Sequence, residues 1–223
     1  MPDDTLARQS PYLEMIKLSS GKMLYKANEE LEHLYFPVDS IIALLRQMED
    51  GNYTEAAVVG SDGIPGVSML MSGHCSFSAM TQSAGRAFRI KVTPPNTEFD
   101  LNGAMMHLLL RYTQALITQI AQTAVCIGHP PLAQQLCRWL LLSLDCQPGN
   151  ELVITQQVIA DILGVRREGI TAAASNLRHL NLITYQRGHI TVLNRSGIET
   201  RACECYAAVK RETNHLLPNR LAT

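Results

Sequence analysis

"ITQQVIADILGVRREGITAAASNLRHLNLI", residues 154–183, holds two apolar helical patterns separated by a glycine, with two arginines just beyond it. Thr155 can cap a helix running to Leu163, and Gly164 stands where that helix would end in a left-handed conformation that only glycine adopts cheaply. Ile159, Ala160 and Leu163 face inward on the first helix, and Ile170, Ala173, Ala174 and Leu177 do so on the second. Ala160 is small where the two helices cross, and Val165 plugs the turn. Counting Gln156 as position one, the apolar, alanine, apolar, glycine, apolar and apolar residues fall at four, five, eight, nine, ten and fifteen. That is the spacing of a DNA-binding helix-turn-helix.

The two arginines then have a use. The second helix of such a motif presents its first turn to the major groove, where an arginine can bond guanine bidentately and a glutamate can accept from cytosine N4. Backbone amides at the helix start favour phosphate. The following "LITYQRGHITVL" alternates apolar and polar residues with Arg187-Gly188 at the bend, so it reads as a hairpin. Helix, turn, helix and hairpin make a winged helix whose basic tip would meet backbone phosphate. The candidate DNA contacts are Thr155 and Gln156 on the first helix, Arg166, Arg167, Glu168, Thr171 and Ser175 on the second, and Arg187 and His189 on the wing.

The charge distribution agrees in sign. Residues 1–149 hold 10 Lys+Arg against 14 Asp+Glu, and residues 150–223 hold 9 against 6, so the halves carry −4 and +3. The basic excess lies with the helix-turn-helix, as a polyanion-binding module requires. At 46% hydrophobic and 17% charged residues the chain reads as globular. No run of eighteen apolar residues occurs, and Met1-Pro2-Asp3-Asp4 lacks the positive region of a signal peptide, so the expected location is cytoplasmic with no membrane partner. Six scattered cysteines in mostly apolar segments suit reduced thiols better than disulfides.

Upstream, from about Leu18 to Val92, short apolar runs ("KMLY", "LEHLYFPV", "SIIALLRQM", "EAAVVG", "FSAMTQSA", "RAFRIKV") alternate with turn signals, which suggests an antiparallel sandwich or roll. After Pro94-Pro95 the pattern becomes that of a long helix. Leu101, Met105, Leu108, Leu109, Tyr112, Leu116, Ile120 and Ala124 lie on one face, and Met106, Leu110, Ile117 and Val125 on the reverse. A helix apolar on two sides packs on its own domain and on something else, most simply a copy of itself. His129-Pro130-Pro131 ends it, and Leu132–Leu144 forms a second amphipathic helix. The expected fold class is α+β: an N-terminal antiparallel β-roll of the cupin or jelly-roll kind (1–98), a long dimerisation helix (99–128) and a C-terminal winged helix-turn-helix (129–223).

These features resemble the Crp/Fnr family of bacterial transcription regulators over nearly the whole chain. Residues 154–183 are similar to the family's DNA-reading motif, and "LYFP" looks like its sensor strand. The resemblance implies a homodimer joined through helix 99–128, a roughly palindromic duplex-DNA operator, and RNA polymerase as a further candidate partner. It also implies that Arg167 and Glu168 match the family's base-contacting arginine and glutamate. The family's preceding serine is Arg166 here, and a second helix arginine is replaced by Ala172, so a conventional half-site is not assumed.

The resemblance thins in the sensor. Where cyclic-nucleotide binders carry glycine-glutamate and arginine-serine pairs, this chain has Gly66 with Val67 or Ser68, and Cys75-Ser76. Losing the arginine removes the charge partner of a buried phosphate, so Gly66, Ser68, Cys75 and Ser76 mark a pocket whose effector is not expected to be cyclic AMP. No cysteine precedes Cys75, which argues against an N-terminal iron–sulfur cluster.

No catalytic residue, metal or cofactor is expected. Cys203 and Cys205 fall in a helical stripe with Ile198, Ala202, Tyr206, Val209 and Leu216, with Ser196 and Glu199 in a capping-box pattern. Two residues apart on one helix, their thiols would point about 200° away from each other and could not share an ion. Cys126 and His129 supply only two ligands, and His74-Cys75 is either a reactive thiol or an ordinary loop. The rival reading is a small-molecule or redox-sensing module whose winged helix makes only protein contacts. Salt-dependent binding to duplex DNA separates the two.

Overall fold

The computed structural model describes residues 3–49, 51, 53–92, 103–186 and 188–217. A short helix, α1 (Asp3–Gln9), leads into strands β1 (Glu14–Leu18), β2 (Met23–Tyr25), β3 (His33–Pro37), β4 (Ile41–Gln47) and β5 (Tyr53–Val59). Helix α2 (Val67–Ser72) follows, then strands β6 (Ser78–Ser83) and β7 (Gly85–Lys91). The strands form two antiparallel sheets, ordered β1-β7-β3 and β2-β6-β4-β5. Strand β4 is central, and its five consecutive residues Ile41 to Leu45 are all buried. That accounts for the unbroken apolar run "IIALL", since a strand covered on both faces loses the alternation of a half-exposed one.

Helix α3 (Ala104–Gly128) descends from the roll. Residues 99–102 of the expected dimerisation helix, Leu101 included, lie outside the described residues. Met105, Leu109, Tyr112 and Ala115 of α3 are buried against the roll, with Leu108, Leu116 and Ile120 beside them. Ala124, expected on this inner face, is exposed instead. It joins Leu110 and Ile117 in an outward row with a period of seven.

Helix α4 (Leu132–Leu144) begins after Pro130-Pro131, buries Trp139 and opens the C-terminal domain. The remaining elements are β8 (Glu151–Val153), α5 (Gln156–Leu163), α6 (Arg167–His179), β9 (Ile183–Gln186), β10 (His189–Val192), α7 (Arg195–Glu199) and α8 (Glu204–Leu216). Strands β8, β10 and β9 make a small antiparallel sheet, so the expected hairpin gains a third strand. Leu182, Ile183, Ile190 and Val192 of this wing pack with α4, α5 and α6 in one core.

The end of the chain departs from its sequence reading. Residues 195–216 are not one helical stripe but two helices with a turn at residues 200–203. Asn194 caps α7 by accepting a 2.9 Å bond from the Gly197 N–H, so Ser196 and Glu199 are not the capping box their spacing suggested. Cys203 is the extended cap residue of α8 (φ −69°, ψ 162°) and stands outside the helix. The 100°-per-residue rule therefore does not apply to the pair, and the expected divergence of Cys203 and Cys205 is wrong. Both turn toward Cys126 near the end of α3, and the three sulfurs lie within 4.8 Å of one another. The expectation of no metal ligands loses its geometric ground there. His129, the ligand first considered beside Cys126, is exposed.

Candidate nucleic-acid interface

The helix-turn-helix is built as its residue types require. Thr155 Oγ1 accepts from the Val158 N–H at 3.3 Å, satisfying one amide that the start of α5 leaves without a helical partner. Gly164 ends α5 at φ 65°, ψ 34°, with its own N–H directed back to the Ala160 and Asp161 carbonyls. The Val165 N–H also returns to the Ala160 carbonyl, at 3.0 Å, closing the turn. Ile159, Ala160, Ile170, Ala173, Ala174 and Leu177 are buried between the helices. On the first helix the deepest late position is Ile162 rather than Leu163, which is half-buried.

Burial of that face dictates what α6 shows to solvent. Arg166, its extended N-terminal cap residue (φ −74°, ψ 142°), stands exposed with Arg167, Glu168, Thr171, Ala172 and Asn176. Ser175 is half-buried. The first turn thus presents two guanidiniums and a carboxylate beside free backbone amides, groups suited to base edges and phosphate. The Thr171 hydroxyl shares its proton between Gln156 Oε1 (2.7 Å) and the Arg167 carbonyl (3.1 Å), so it braces the two helices. Gln156 is itself held by its backbone N–H, which donates to the Tyr185 hydroxyl of β9 at 3.3 Å. The wing is in this way fastened to the start of the motif.

At the wing, Gly188 has φ 84° and its carbonyl accepts from the Ile154 N–H at 2.7 Å. Arg187 lies outside the described residues. His189 is exposed, with Nδ1 2.6 Å from Glu151 Oε1. A phosphate approaching His189 would have to displace that carboxylate, which weakens the residue's claim as a backbone contact.

Two supporting residues had no readable signal. Gly169 sits in α6 where an added Cβ would come within 2.8 Å of Leu132 Cδ2, so glycine lets α6 lie close on α4. Asp145, at the end of α4, takes bonds from Lys210 Nζ (2.8 Å), the Tyr206 hydroxyl (3.1 Å) and the Arg195 guanidinium, tying α7 and α8 to the domain. Residues so far apart in sequence reveal such a network only when folded.

In the roll, Gly66 (φ 87°) and Cys75 come together, the Cys75 thiol lying 3.8 Å from the Gly66 carbonyl. Cys75 is buried in the core, Ser68 is half-buried, and Ser76 is exposed with its carbonyl accepting from Arg46 at 2.8 Å. The four residues therefore share a loop and a short helix but do not converge on one point.

The fold and motif have counterparts. Residues 134–201 match the family described as the Crp-like helix-turn-helix domain. The chain is similar to a global nitrogen regulator from Synechococcus elongatus, 21% identical over 192 residues covering 82% of this chain and 86% of the relative. A second global nitrogen regulator, from a Nostoc species, is 22% identical over 182 residues, 77% of this chain and 82% of the relative. Among solved structures, a CRP-family transcriptional regulator from Thermus thermophilus superposes with a TM-score of 0.68 at 17% identity, over 84% of this chain and 96% of that one. FixK2 from Bradyrhizobium japonicum gives 0.68 at 16% identity, over 86% and 98%.

Proposed function

We propose that this chain, a DNA-binding transcription regulator of the Crp/Fnr family, acts as a homodimer that sets two α6 helices into major grooves of a roughly palindromic operator. The observation that carries the reading is the exposed first turn of α6, with Arg166, Arg167 and Glu168 on a helix whose opposite face is wholly packed. Arg167 and Glu168 read base edges, Arg166 and Gln156 engage backbone phosphate, Thr155 and Thr171 hold the frame, and Ser175 marks the far limit of contact. Arg187 carries the wing's approach to phosphate, and His189 joins it only where phosphate displaces the Glu151 carboxylate. Self-association is supported by the row Leu110, Ile117 and Ala124 on α3. Leu110 and Ile117 are 48% and 54% exposed, and the seven-residue period is the one that seams two parallel helices.

The effector is not cyclic AMP on this reading, because a buried Cys75 and an outward Ser76 stand where a phosphate would need a guanidinium and a hydroxyl. RNA polymerase is the further partner that activation would require. No described helix is long and apolar enough to cross a membrane, and a cytoplasmic location is the one the proposed access to DNA requires.

Selection of bound duplexes from a random pool, with and without cyclic AMP, tests the proposal. The expected result is one motif recovered equally in both, with half-sites about one helical turn, ~34 Å, apart. Enrichment only with the nucleotide would overturn the effector reading. No enrichment under either condition, with binding insensitive to salt, would overturn the DNA reading itself.

A further inference from the structure

Cys126, Cys203 and Cys205 form a buried cluster of their own, apart from the two larger cores. Cys126 Sγ and Cys203 Sγ are 3.5 Å apart across 77 residues of sequence. All three sulfurs fall within 4.8 Å of one another, near enough for small side-chain adjustments to bring them onto one ion at ~2.3 Å metal–sulfur bonds. Apolar packing alone does not account for the setting. Arg138 of α4, 4% exposed, donates to the Thr123 hydroxyl at 2.6 Å, while its Nε finds no acceptor among the described residues. A buried guanidinium is costly unless negative charge faces it. Beside Cys126 and Arg138 lies a cavity of about 20 Å³, also lined by Thr123 and Glu55. That is room for a single water.

We propose that Cys126, Cys203 and Cys205 bind one divalent, thiophilic cation of the zinc class as thiolates, with water completing the coordination shell. Three thiolates, a divalent ion and Arg138 sum to zero net charge, which a buried site needs. Binding sends up to three S–H protons to solvent, with no change of oxidation state. The ion would join the end of α3 to the start of α8, clamping the long helix to the DNA-binding domain.

The full chain, reduced and metal-free, is titrated with Zn(II), Cd(II) and Cu(I) against a competing chelator, following sulfur-to-metal charge-transfer absorbance for Cd(II). One equivalent of Zn(II) or Cd(II) per chain is expected. Single Cys126→Ser, Cys203→Ser and Cys205→Ser changes should each weaken binding by more than the roughly 10–100-fold typical of losing an outer-shell partner. Arg138→Gln should fall within that range, and Cys146→Ser should leave affinity unchanged. Should the serine variants fail to fold, alkylation mapping of the unmodified protein decides the matter: Cd(II) must protect these three thiols and no others. Binding of Cu(I) alone, protection elsewhere, or a Cys126–Cys203 disulfide with no metal uptake after reduction would each overturn the proposal. DNA binding is not the readout, so the result is independent of the operator reading.

Discussion

Arg167 and Gly164 show two different ways in which one residue carries the reading. Arg167 has an exposed side chain at the start of α6, and in the proposed reading its guanidinium serves a base edge rather than the fold. Arg167→Ala should cost roughly 1–3 kcal/mol on the selected operator and relax base preference at one position, whereas Arg187→Ala should weaken all duplexes alike. Titrating both variants against operator and random duplexes checks this; equal losses on both duplexes for Arg167→Ala would remove it from base reading. Gly164, by contrast, serves the chain. An added Cβ would meet nothing within 4 Å, so space is not the issue, but φ 65° is a conformation that side-chain-bearing residues adopt at a cost. Gly164→Ala should lower stability by about 1–2 kcal/mol in urea unfolding while leaving the folded protein's base preference intact. Both residues were legible in the sequence because their signals are local: a cap, a turn glycine and a polar break in an apolar pattern.

Among the elements, legibility follows burial. Helices α5 and α6 and strands β9 and β10 were readable because each buries one face against a single core, whereas α4, buried all round from Leu136 to Leu144, was readable as an apolar run bounded by Pro131 and Pro148. Strand β1 was not readable, since only Leu18 of its five residues is buried and no alternation survives. Strand β8, three residues with Leu152 alone buried, is silent for the same reason. The cysteine cluster was misread because a helix break at residues 200–203, invisible in the apolar spacing, changes where Cys203 points. Helix α3 had the opposite fortune. Its two apolar faces were visible, and the structure divides them, one against the roll and the other outward at Leu110 and Ile117. Replacing both outward residues, Leu110→Asp with Ile117→Asp, should yield a folded monomer by sedimentation equilibrium. Affinity for a palindromic duplex should drop well over tenfold, because the second half-site no longer binds at the effective concentration that linkage provides. A dimer that survives the double change would place the interface elsewhere.

Across the whole molecule, the roll and the DNA-binding domain share packing. Ile41 and Val58 of the roll lie in the same cluster as Trp139 and Leu142 of α4, Gln82 donates to the Ser143 hydroxyl at 3.2 Å, and Gly60 abuts the Cys146 backbone. Glu55 of β5 is buried in this seam with the Arg138 guanidinium and the Trp139 indole. Burial outweighs both and pushes the Glu55 carboxyl from 4.5 up to about 8. The sign follows from proton counting. Between these two values the unfolded chain has released the proton and the folded chain keeps it, so the folded state binds more protons and stability falls as pH rises. Below about 4.5 both states are protonated and above about 8 both are ionised, so the contribution is flat outside that window. One such group gives a slope of at most about 1.4 kcal/mol per pH unit. Glu55→Gln keeps the shape of the neutral acid and removes the titration. In metal-free protein it should flatten the fall of the urea midpoint between about pH 5 and 8, while the unmodified chain keeps it. The gain from the substitution should be greatest at the alkaline end. A variant whose slope matches the unmodified chain's would mean that Glu55 is ionised in the fold, its charge held by Arg138 across the junction between the roll and the domain that reads DNA.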